Sequence, residues 1–260
     1  MNESKKILEN FLLINKRKSD QENTHTSIPN YPHSYGGSYT IDDTNYNKFL
    51  KLYYNSAFRD ENEEYLTEKH KDYSPILIDL DFRFTIDNDT RSYNDEFIID
   101  FIKIYIDEIK NILNISNTKI EVFILEKMAP KVDTEKNLVK DGIHIMIPNI
   151  VTMPKIQYIL RYRMINSNKI KQLLNKLNIT NTIEDVIDIC VIERNNWQMY
   201  GSRKPNCEAY KVTKIYDCTK SNTKLLKLDT YTDKQLLTLL SIRNKTKTSI
   251  QTVKEIALDS

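Results

Sequence analysis

The clearest pattern in the chain is a helical repeat of apolar side chains over residues 94–113. Apolar residues recur there at steps of three and four, which places them on one face of an α-helix. They are Phe97, Ile98, Phe101, Ile102, Tyr105, Ile109 and Ile112. Asn94 suits the N-cap, and Asp95 and Glu96 suit the positive end of a helix dipole. The pattern predicts one long amphipathic helix.

Strand patterns lie on both sides of this helix. Residues 76–84 begin as an apolar run and then alternate, which is typical of a strand with one buried face. Residues 119–125 and 143–147 predict two more strands, and we expect Pro148 to end the second. Residues 186–192 are apolar except for Asp188 and predict a further buried strand.

Shorter patterns complete the chain. Helices are predicted over residues 7–14, 45–56, 154–177 (one or two helices) and 232–242. Short strands are predicted over residues 39–41, 197–200, 210–216 and 225–228. A strand, a helix and two strands in succession begin a compact α/β unit with a mixed sheet. The expected fold class is therefore α+β.

Composition narrows the class of protein. The 260 residues are 40% hydrophobic and 28% charged, which suits one large globular domain or two small ones. Cys190, Cys207 and Cys218 are widely spaced, which argues against a disulfide framework and suits a reducing compartment. No CxxC pair occurs, so we expect no structural zinc, with a shared site of Cys207, Cys218 and a distant His as the alternative. Neither a signal-peptide pattern nor a membrane-spanning run occurs, so we expect an intracellular, soluble protein.

The net charge of +2 says little, but its distribution is uneven. Residues 151–180 contain no Asp or Glu and six basic residues, which are Lys155, Arg161, Arg163, Lys169, Lys171 and Lys176. Residues 60–100 are rich in acids instead. An acidic centre beside a basic surface suits a metal-dependent enzyme that acts on a polyanion. Two ordinary solvated faces are the alternative.

Asp79 and Asp81 are the first candidates for chemistry. In a strand they share one face, while Ile78, Leu80 and Phe82 share the other. Two neighbouring carboxylates repel each other, and a hard divalent cation relieves that repulsion. The pair therefore predicts half of a metal site, with a strand end that simply meets solvent as the alternative.

A second motif follows at Lys140, Gly142 and His144, which recur at two-residue spacing and project to one side of a strand. A lysine and a histidine donor beside a bare glycine backbone suit the phosphates of a nucleotide. A structural role for His144 is the alternative.

The third motif combines Asp188 with the turn Gly201-Ser202-Arg203-Lys204. A carboxylate inside an apolar strand needs a partner, which a metal ion or an arginine would supply. The turn brings a hydroxyl and two cations together, and it would either bind phosphate or close a sheet edge.

These motifs, in this order, resemble those of the archaeo-eukaryotic primases. The family pattern is an hhhDhD strand, a K-x-[GS]-x-H strand, and a lone Asp followed by a basic Gly-Ser-Lys turn. The local sequences LDFR (80–83), KDGIHIMIP (140–148) and WQMYGSRKP (197–205) are similar to the N-terminal primase domain of the primase–helicases of large nucleocytoplasmic DNA viruses, the poxvirus and giant-virus type. His25-Thr26 and Gly37-x-Tyr39 resemble the opening segment of that domain. The resemblance extends from about residue 25 to about residue 243.

The resemblance implies a two-metal nucleotidyltransferase. Asp79 and Asp81 would bind two divalent ions, Mg²⁺ or Mn²⁺, and Asp188 would complete the site. His144 would contact the phosphates of the incoming nucleotide. The remaining nucleotide-binding candidates are Lys140, Gly142, Ser202, Lys204, Arg203 and Arg83, with the two arginines as secondary candidates.

The resemblance also implies an organisation of the chain. We expect an N-terminal helix and linker over residues 1–24, a primase domain with an RRM-like mixed sheet over 25–230, and a connection towards a helicase region over 231–260. The sequence has no GxxxxGK[ST] phosphate loop, so we expect either a shortened chain or a stand-alone primase. The expected partners are a single-stranded DNA template, along residues 151–180, an NTP or dNTP, and a helicase domain in the same or another chain, with no membrane. A viral source would place the protein in the host cytoplasm or a viral replication factory.

Three other functions remain open from the sequence. A metal-dependent glycosyltransferase also uses an Asp-x-Asp pair, but it does not require Asp188 or the Lys-x-Gly-x-His strand. A polymerase-β-like nucleotidyltransferase places Gly-Ser shortly before its acidic pair, whereas Gly37-Ser38 lies far upstream of Asp79. A primase fold that only binds single-stranded DNA, or docks a helicase, is the third.

Overall fold

The computed structural model describes residues 2–87 and 90–254. Its strands are β1 (His25–Ser27), β2 (Gly37–Tyr39), β3 (Leu66–Glu68), β4 (Ser74–Thr85), β5 (Glu121–Glu126), β6 (Lys131–Asp133), β7 (Leu138–Thr152), β8 (Trp197–Gln198), β9 (Lys211–Asp217) and β10 (Lys224–Leu226). Its α-helices are α1 (Glu3–Ile14), α2 (Asp43–Tyr54), α3 (Asp95–Ile112), α4 (Pro154–Asn166), α5 (Asn168–Leu174), α6 (Ile183–Val186) and α7 (Asp233–Leu240). Of the described helices, none is both long and apolar enough to cross a membrane.

The chain divides into two compact units, each assembled from segments that are distant in sequence. Unit 1 contains the described parts of Met1–Lys71, Asn195–Lys211 and Asp229–Asn244. Unit 2 contains the described parts of Asp72–Arg194, Val212–Leu228 and Lys245–Ser260. The predicted division into an N-terminal segment (1–24), a primase domain (25–230) and a connection (231–260) stays a prediction.

Unit 1 combines a small sheet with helices. The strand order is β2-β1-β3-β8, and each pairing is antiparallel. Leu8 and Phe11 of α1, Phe49 and Tyr53 of α2, and Leu237 of α7 belong to one buried core. The rings of Phe11 and Phe49 stack with centroids 6.1 Å apart. Apolar helix faces thus supply most of the core of this unit.

Unit 2 is built on a larger sheet with the strand order β10-β9-β5-β7-β4, and β6 pairs with β7. One face of this sheet packs against α3, whose N-cap is Asn94 as predicted. Ile78, Leu80 and Phe82 of β4 lie in the same buried core as Phe97 and Phe101 of α3. The opposite face of β4 is therefore left for the polar side chains of the strand.

The α+β class is confirmed. The pairings of β1 with β2 and β3, of β3 with β8, of β7 with β4, β5 and β6, and of β9 with β10 are antiparallel. Parallel alignment, expected from a mixed sheet, occurs among the described residues at the isolated bridges Glu64–Ser202 and Val151–Ile250.

The prediction that Pro148 ends its strand is wrong, because β7 continues to Thr152. Ile147 pairs with Ile76, and the next pairing joins Val151 to Pro75. The residues between Ile147 and Val151 form a bulge, which is one of the few places where a strand tolerates a proline without a backbone donor.

The predicted strand over residues 186–192 is also wrong. Helix α6 ends at Val186, and the chain then turns without forming a strand. Only one isolated bridge, between Ile187 and Leu80, ties these residues to the sheet among those described. A short apolar run does not distinguish a strand from other buried segments, and here packing against the edge of β4 decided the outcome.

Candidate active site

The first two sequence motifs meet on one face of the sheet of unit 2. In the antiparallel pairing of β4 with β7, Asp79 lies opposite His144, Asp81 opposite Gly142, and Arg83 opposite Lys140. His144 Nε2 is 3.6 Å from Asp79 Oδ2. The cross-strand register therefore brings carboxylates and cations together in a row. We call this row, made of these six residues, the polar face.

The electrostatics of the polar face centre on Asp81. Burial, followed by the negative charge of Asp79, raises the pKa of Asp81. The charges of Arg83 and Lys140 act in the opposite direction without cancelling the effect. Arg83 NH2 lies 3.5 Å from Asp81 Oδ2, and the Asp81 side chain is still 41% exposed. A cation placed beside the two carboxylates would therefore lower the energy of the charged pair.

The other cation of the polar face, Lys140, is held by a neighbouring strand. Its Nζ donates to Asp133 Oδ2 at 2.9 Å, and Asp133 ends β6. The Lys140 side chain remains 35% exposed. No local pattern in the sequence marks Asp133, since only the pairing of β6 with β7 brings it near Lys140.

The third predicted carboxylate, Asp188, lies beside β4 although its segment is not a strand. The Asp188 backbone N–H donates to the carbonyl of Asp79 at 3.0 Å. Its side-chain Oδ1 accepts a hydrogen bond from the Cys190 backbone N–H at 2.8 Å. The segment thus occupies the open edge of β4, and the carboxylate stabilises its local turn.

Two residues tie this edge of β4 together: Asn181, which the sequence did not single out, and Arg161, which the sequence placed only in the basic stretch. Arg161 of α4 donates from Nε to the Ile187 carbonyl at 2.6 Å and from NH2 to the Glu184 carbonyl at 2.7 Å. Asn181 donates to the Asp81 carbonyl at 2.8 Å and accepts from the Arg83 N–H at 3.0 Å. Both contacts depend on tertiary structure, and no local sequence signal announces them.

The donor set of the polar face suits a hard cation only in part. Asp79 and Asp81 offer oxygen ligands on one face, which is what Mg²⁺ or Mn²⁺ prefers. However, within residues 2–87 and 90–254 no three side chains of His, Cys, Asp or Glu form a group that could hold a metal ion. The backbone of Asp188 lies beside the pair, and its role as the third carboxylate stays a prediction.

The predicted turn Gly201-Ser202-Arg203-Lys204 belongs to unit 1. Ser202 is 2% exposed, and its hydroxyl lies 2.8 Å from the Tyr53 hydroxyl and accepts from the Leu66 N–H at 2.9 Å. Gly201 has φ +90, and a Cβ there would lie 2.7 Å from the ring of Phe58, so glycine is required. Ser202 and Gly201 are thus integrated into the core.

The two cations of this turn differ. Arg203 NH1 donates to Glu63 Oε1 at 2.9 Å, whereas the Lys204 side chain is exposed. The structure therefore leaves Lys204 as the more accessible cation of the turn. Its predicted role towards a nucleotide stays a prediction.

The basic stretch over residues 151–180 includes α4 and α5. Arg161 contacts backbone carbonyls, and Arg163 lies 3.5 Å from Glu108. The exposed cations are Lys155, Lys169, Lys171 and Lys176. The exposed positive charges of the predicted template surface therefore belong to lysines, while its two arginines contact other residues of unit 2.

Comparison with known proteins gives a family match over most of the chain. The family model described as the C962R protein N-terminal AEP domain matches residues 24–216. The chain is 36% identical over 168 residues to "Putative helicase L207/L206" of Acanthamoeba polyphaga mimivirus, which covers 65% of this chain and 17% of that protein.

Two iridescent virus proteins are also similar. The chain is 26% identical over 197 residues to "Putative helicase 184R" of Invertebrate iridescent virus 6, covering 66% of this chain and 20% of that protein. It is 27% identical over 213 residues to "Putative helicase 121R" of Invertebrate iridescent virus 3, covering 74% of this chain and 21% of that protein. The chain spans about a fifth of the length of these relatives.

Proposed function

The chain belongs to the C962R N-terminal AEP domain family, the archaeo-eukaryotic primase type, and from this premise we propose that it makes or extends primers on single-stranded DNA during viral DNA replication. The reaction would be nucleotidyl transfer from an NTP or dNTP to a 3′-hydroxyl. The family match favours this reaction over those of an Asp-x-Asp glycosyltransferase and a polymerase-β-like enzyme.

The observation that carries the proposal is the register of β4 against β7. It places Asp79 and Asp81 in one row with His144, Gly142 and Lys140. Carboxylates next to a histidine and a lysine on one strand pair suit a substrate that brings both metal ions and phosphates. Gly142 keeps the row open opposite Asp81, because it carries no side chain.

Each residue of the row would have a distinct task. Asp79 and Asp81 would hold Mg²⁺ or Mn²⁺, with Asp188 as the third carboxylate. When bound, such ions polarise phosphoryl oxygens and favour in-line displacement. His144 and Lys140 would orient the phosphates of the incoming nucleotide by donating hydrogen bonds.

The unit 1 candidates and Arg83 complete the proposal. Lys204 would add a positive charge for phosphate, and Arg203 and Ser202 would support its turn. Arg83, 3.5 Å from Asp81, would limit repulsion within the carboxylate pair when no ion is bound.

A template-incorporation assay tests the proposal. The protein is given a single-stranded template, labelled nucleotides, and Mg²⁺ or Mn²⁺, with and without a pre-made primer and with rNTPs or dNTPs. We expect metal-dependent product, and we expect Asp79→Ala/Asp81→Ala to abolish it while DNA binding persists. The primer arm separates initiation from extension.

A binding module is the second candidate, and one observation favours it. The Asp188 carboxylate accepts from the Cys190 N–H at 2.8 Å, so it already stabilises its own turn. If the wild-type protein binds single-stranded DNA but yields no product with either metal on primed or unprimed templates, the binding or helicase-docking function replaces the enzyme.

The helicase names of the relatives suggest a partner. We propose that a helicase region, in the same or another chain, acts with this domain in the host cytoplasm or a viral replication factory. Co-purification of the domain with the helicase portion of such a relative tests the association. Separate elution of the two at micromolar concentrations would contradict it.

A further inference from the structure

Unit 1 exposes a pair of aromatic rings on one turn. Tyr31 is 77% exposed and Tyr35 is 75% exposed. Their ring centroids are 5.7 Å apart with the planes at 65° to each other. Pro32 and His33 between them are exposed as well. Large aromatic side chains are usually buried, so two together on the surface indicate a contact surface for another molecule.

The turn that carries the rings is well supported. The backbones of Asn30 and Ser34 exchange hydrogen bonds of 2.8 and 2.9 Å. Ser34 is 8% exposed, and its hydroxyl lies 2.8 Å from that of Ser27 in β1 and accepts from the Gly36 N–H at 3.1 Å. The backbone that carries the two rings is therefore tied to the sheet of unit 1, so little backbone entropy would be lost when a partner binds there.

Hydrogen bonds connect this turn to the cationic turn of unit 1. Asn30 Nδ2 donates to the Tyr65 hydroxyl at 2.6 Å, and that hydroxyl donates to Glu63 Oε2 at 2.5 Å. Arg203 NH1 donates to the other oxygen of Glu63 at 2.9 Å. Lys204, next in the chain, is exposed. A chain of side-chain hydrogen bonds thus links the turn that carries the two rings to Arg203, the neighbour of Lys204 in the chain.

Of the two cations of the turn that ends at Lys204, Arg203 already has a counter-ion. The hydrogen bond from Tyr65 lowers the pKa of Glu63, and the charges of Arg203 and His33 act in the same direction. Glu63 is thereby kept as the counter-ion of Arg203, which leaves Lys204 as the cation available to a ligand. A surface that pairs aromatic rings with a cation matches a ligand that pairs flat rings with an anionic backbone.

We propose that Tyr31 and Tyr35 form a stacking platform for unpaired bases of single-stranded nucleic acid, with Lys204 contacting the adjoining phosphate. This inference rests on the proposed function, whose template is such a strand, and adds a binding surface on unit 1 that lies outside the polar face. Stacking on aromatic rings tolerates any base, because every base presents a π-face.

The test measures binding of fluorescent oligo-dT by anisotropy at several salt concentrations. The test variant is Tyr31→Ala/Tyr35→Ala, and Tyr31→Phe/Tyr35→Phe keeps both rings. Leu13→Ala/Ile14→Ala is the matched control, since it removes an exposed apolar pair of unit 1, 67% and 84% exposed, that carries no ring. Lys204→Ala probes the phosphate contact.

We expect the alanine pair to weaken binding roughly tenfold or more, from the usual loss of one stacked base. The slope of log K against log salt should stay that of the wild type in this variant, because stacking releases no counterions. Lys204→Ala should make that slope smaller, because it removes a phosphate contact. The phenylalanine pair and the Leu13/Ile14 control should bind as the wild type does.

Other outcomes overturn the inference. Wild-type affinity in the alanine pair, or an equal loss in the Leu13/Ile14 control, excludes a stacking platform. A change in oligomeric state with unchanged DNA binding would make the tyrosine pair a protein interface. Running the incorporation assay on the same samples separates the two proposals. If the wild type makes product and the alanine pair binds DNA normally, only the stacking platform is rejected. If binding depends on the tyrosines but no product forms, only the enzyme is rejected.

Discussion

The ionised carboxylate of Asp81 is unfavourable in the polar face as it stands. Burial and the neighbouring charge of Asp79 raise its pKa, so the ionised form carries a free-energy cost in the folded protein. Costs of this kind persist where function requires them and are relieved by removing the charge or adding a counter-ion.

We therefore expect Asp81→Asn to raise the melting temperature of metal-free protein by about 1–3 °C, since it removes one of two repelling carboxylates. Added Mg²⁺ or Mn²⁺ should stabilise the wild type more than the variant. Thermal unfolding with chelator and with metal measures both effects. Asp100→Asn is the control, because Asp100 has a similarly exposed side chain, 42% against 41%, but faces Lys103 at 3.8 Å.

The pH dependence of this gain has a defined sign. Because the pKa of Asp81 is raised by folding, its contribution to stability falls as the pH rises from the ordinary value through the raised one. The difference in melting temperature between Asp81→Asn and wild type should be greatest near neutral pH and disappear in acid. A pH-independent gain would show that lost charge repulsion is not its cause.

Glu68 illustrates the opposite case in unit 1, a buried carboxylate with a full set of donors. It accepts hydrogen bonds from the Tyr46 hydroxyl, the Ser241 hydroxyl at 2.7 Å and the Ile242 N–H at 2.9 Å. It thereby joins the end of β3 to the residues that follow α7. This role is invisible in the sequence, because nothing local marks Glu68 as buried.

We expect Glu68→Ala to reduce the free energy of unfolding by roughly 3–5 kcal/mol, because the donors left behind are buried without an acceptor. Glu68→Gln keeps the shape and one acceptor oxygen and should cost about 1–2 kcal/mol. Urea unfolding of both variants gives the comparison. Equal losses would mean that the carboxylate charge, which both variants remove, matters at this position and that the acceptor oxygen and volume kept by glutamine do not.

At the scale of elements, the segment after α6 connects the catalytic candidates to the rest of unit 2. It lies along the edge of β4, where the Asp188 N–H donates to the Asp79 carbonyl, and Arg161 holds the carbonyls of Glu184 and Ile187. Arg161 thus acts on the backbone of this segment and not on the side chains of the polar face. Its proposed effect is to position Asp188.

Arg161→Ala should loosen this segment. We expect faster hydrogen exchange at residues 184–190, a higher Mn²⁺ concentration for half-maximal incorporation, and a loss of turnover on the order of tenfold from misplacement of Asp188. Arg163→Ala is the matched control from the same helix, since Arg163 faces Glu108 instead. Slower turnover without any change in exchange or metal requirement would point to a role other than positioning.

Across the whole molecule, the elements with a periodic sequence pattern could be predicted, whereas the contacts between distant segments could not. Helix α3 and strand β4 follow from the spacing of their apolar residues, and the shared face of Asp79 and Asp81 follows from strand geometry. The pairing of Asp79 with His144 depends on register, and a one-residue slip would have turned His144 to the other face. Local spacing does not encode contacts between segments that are far apart in the chain. Three features depend on such contacts: the bulge after Ile147, the turn at Asp188, and the hydrogen bonds from Arg161 to backbone carbonyls.

The same scale applies to the exposed lysines of unit 2, which attract an anionic strand by their summed field. Lys169 and Lys176 are seven positions apart, so they lie along one side of α5 and the turn that continues it.

We expect Lys169→Ala/Lys176→Ala to weaken binding of single-stranded DNA and to lower the slope of log K against log salt by about 0.7 for each phosphate that the variant no longer neutralises. Lys220→Ala/Lys224→Ala removes the same charge from the β9–β10 hairpin of the same unit and should change neither quantity much. Anisotropy titrations over a range of salt separate the two, and matching decreases in both variants would mean that total charge, not the face of α5, attracts the template.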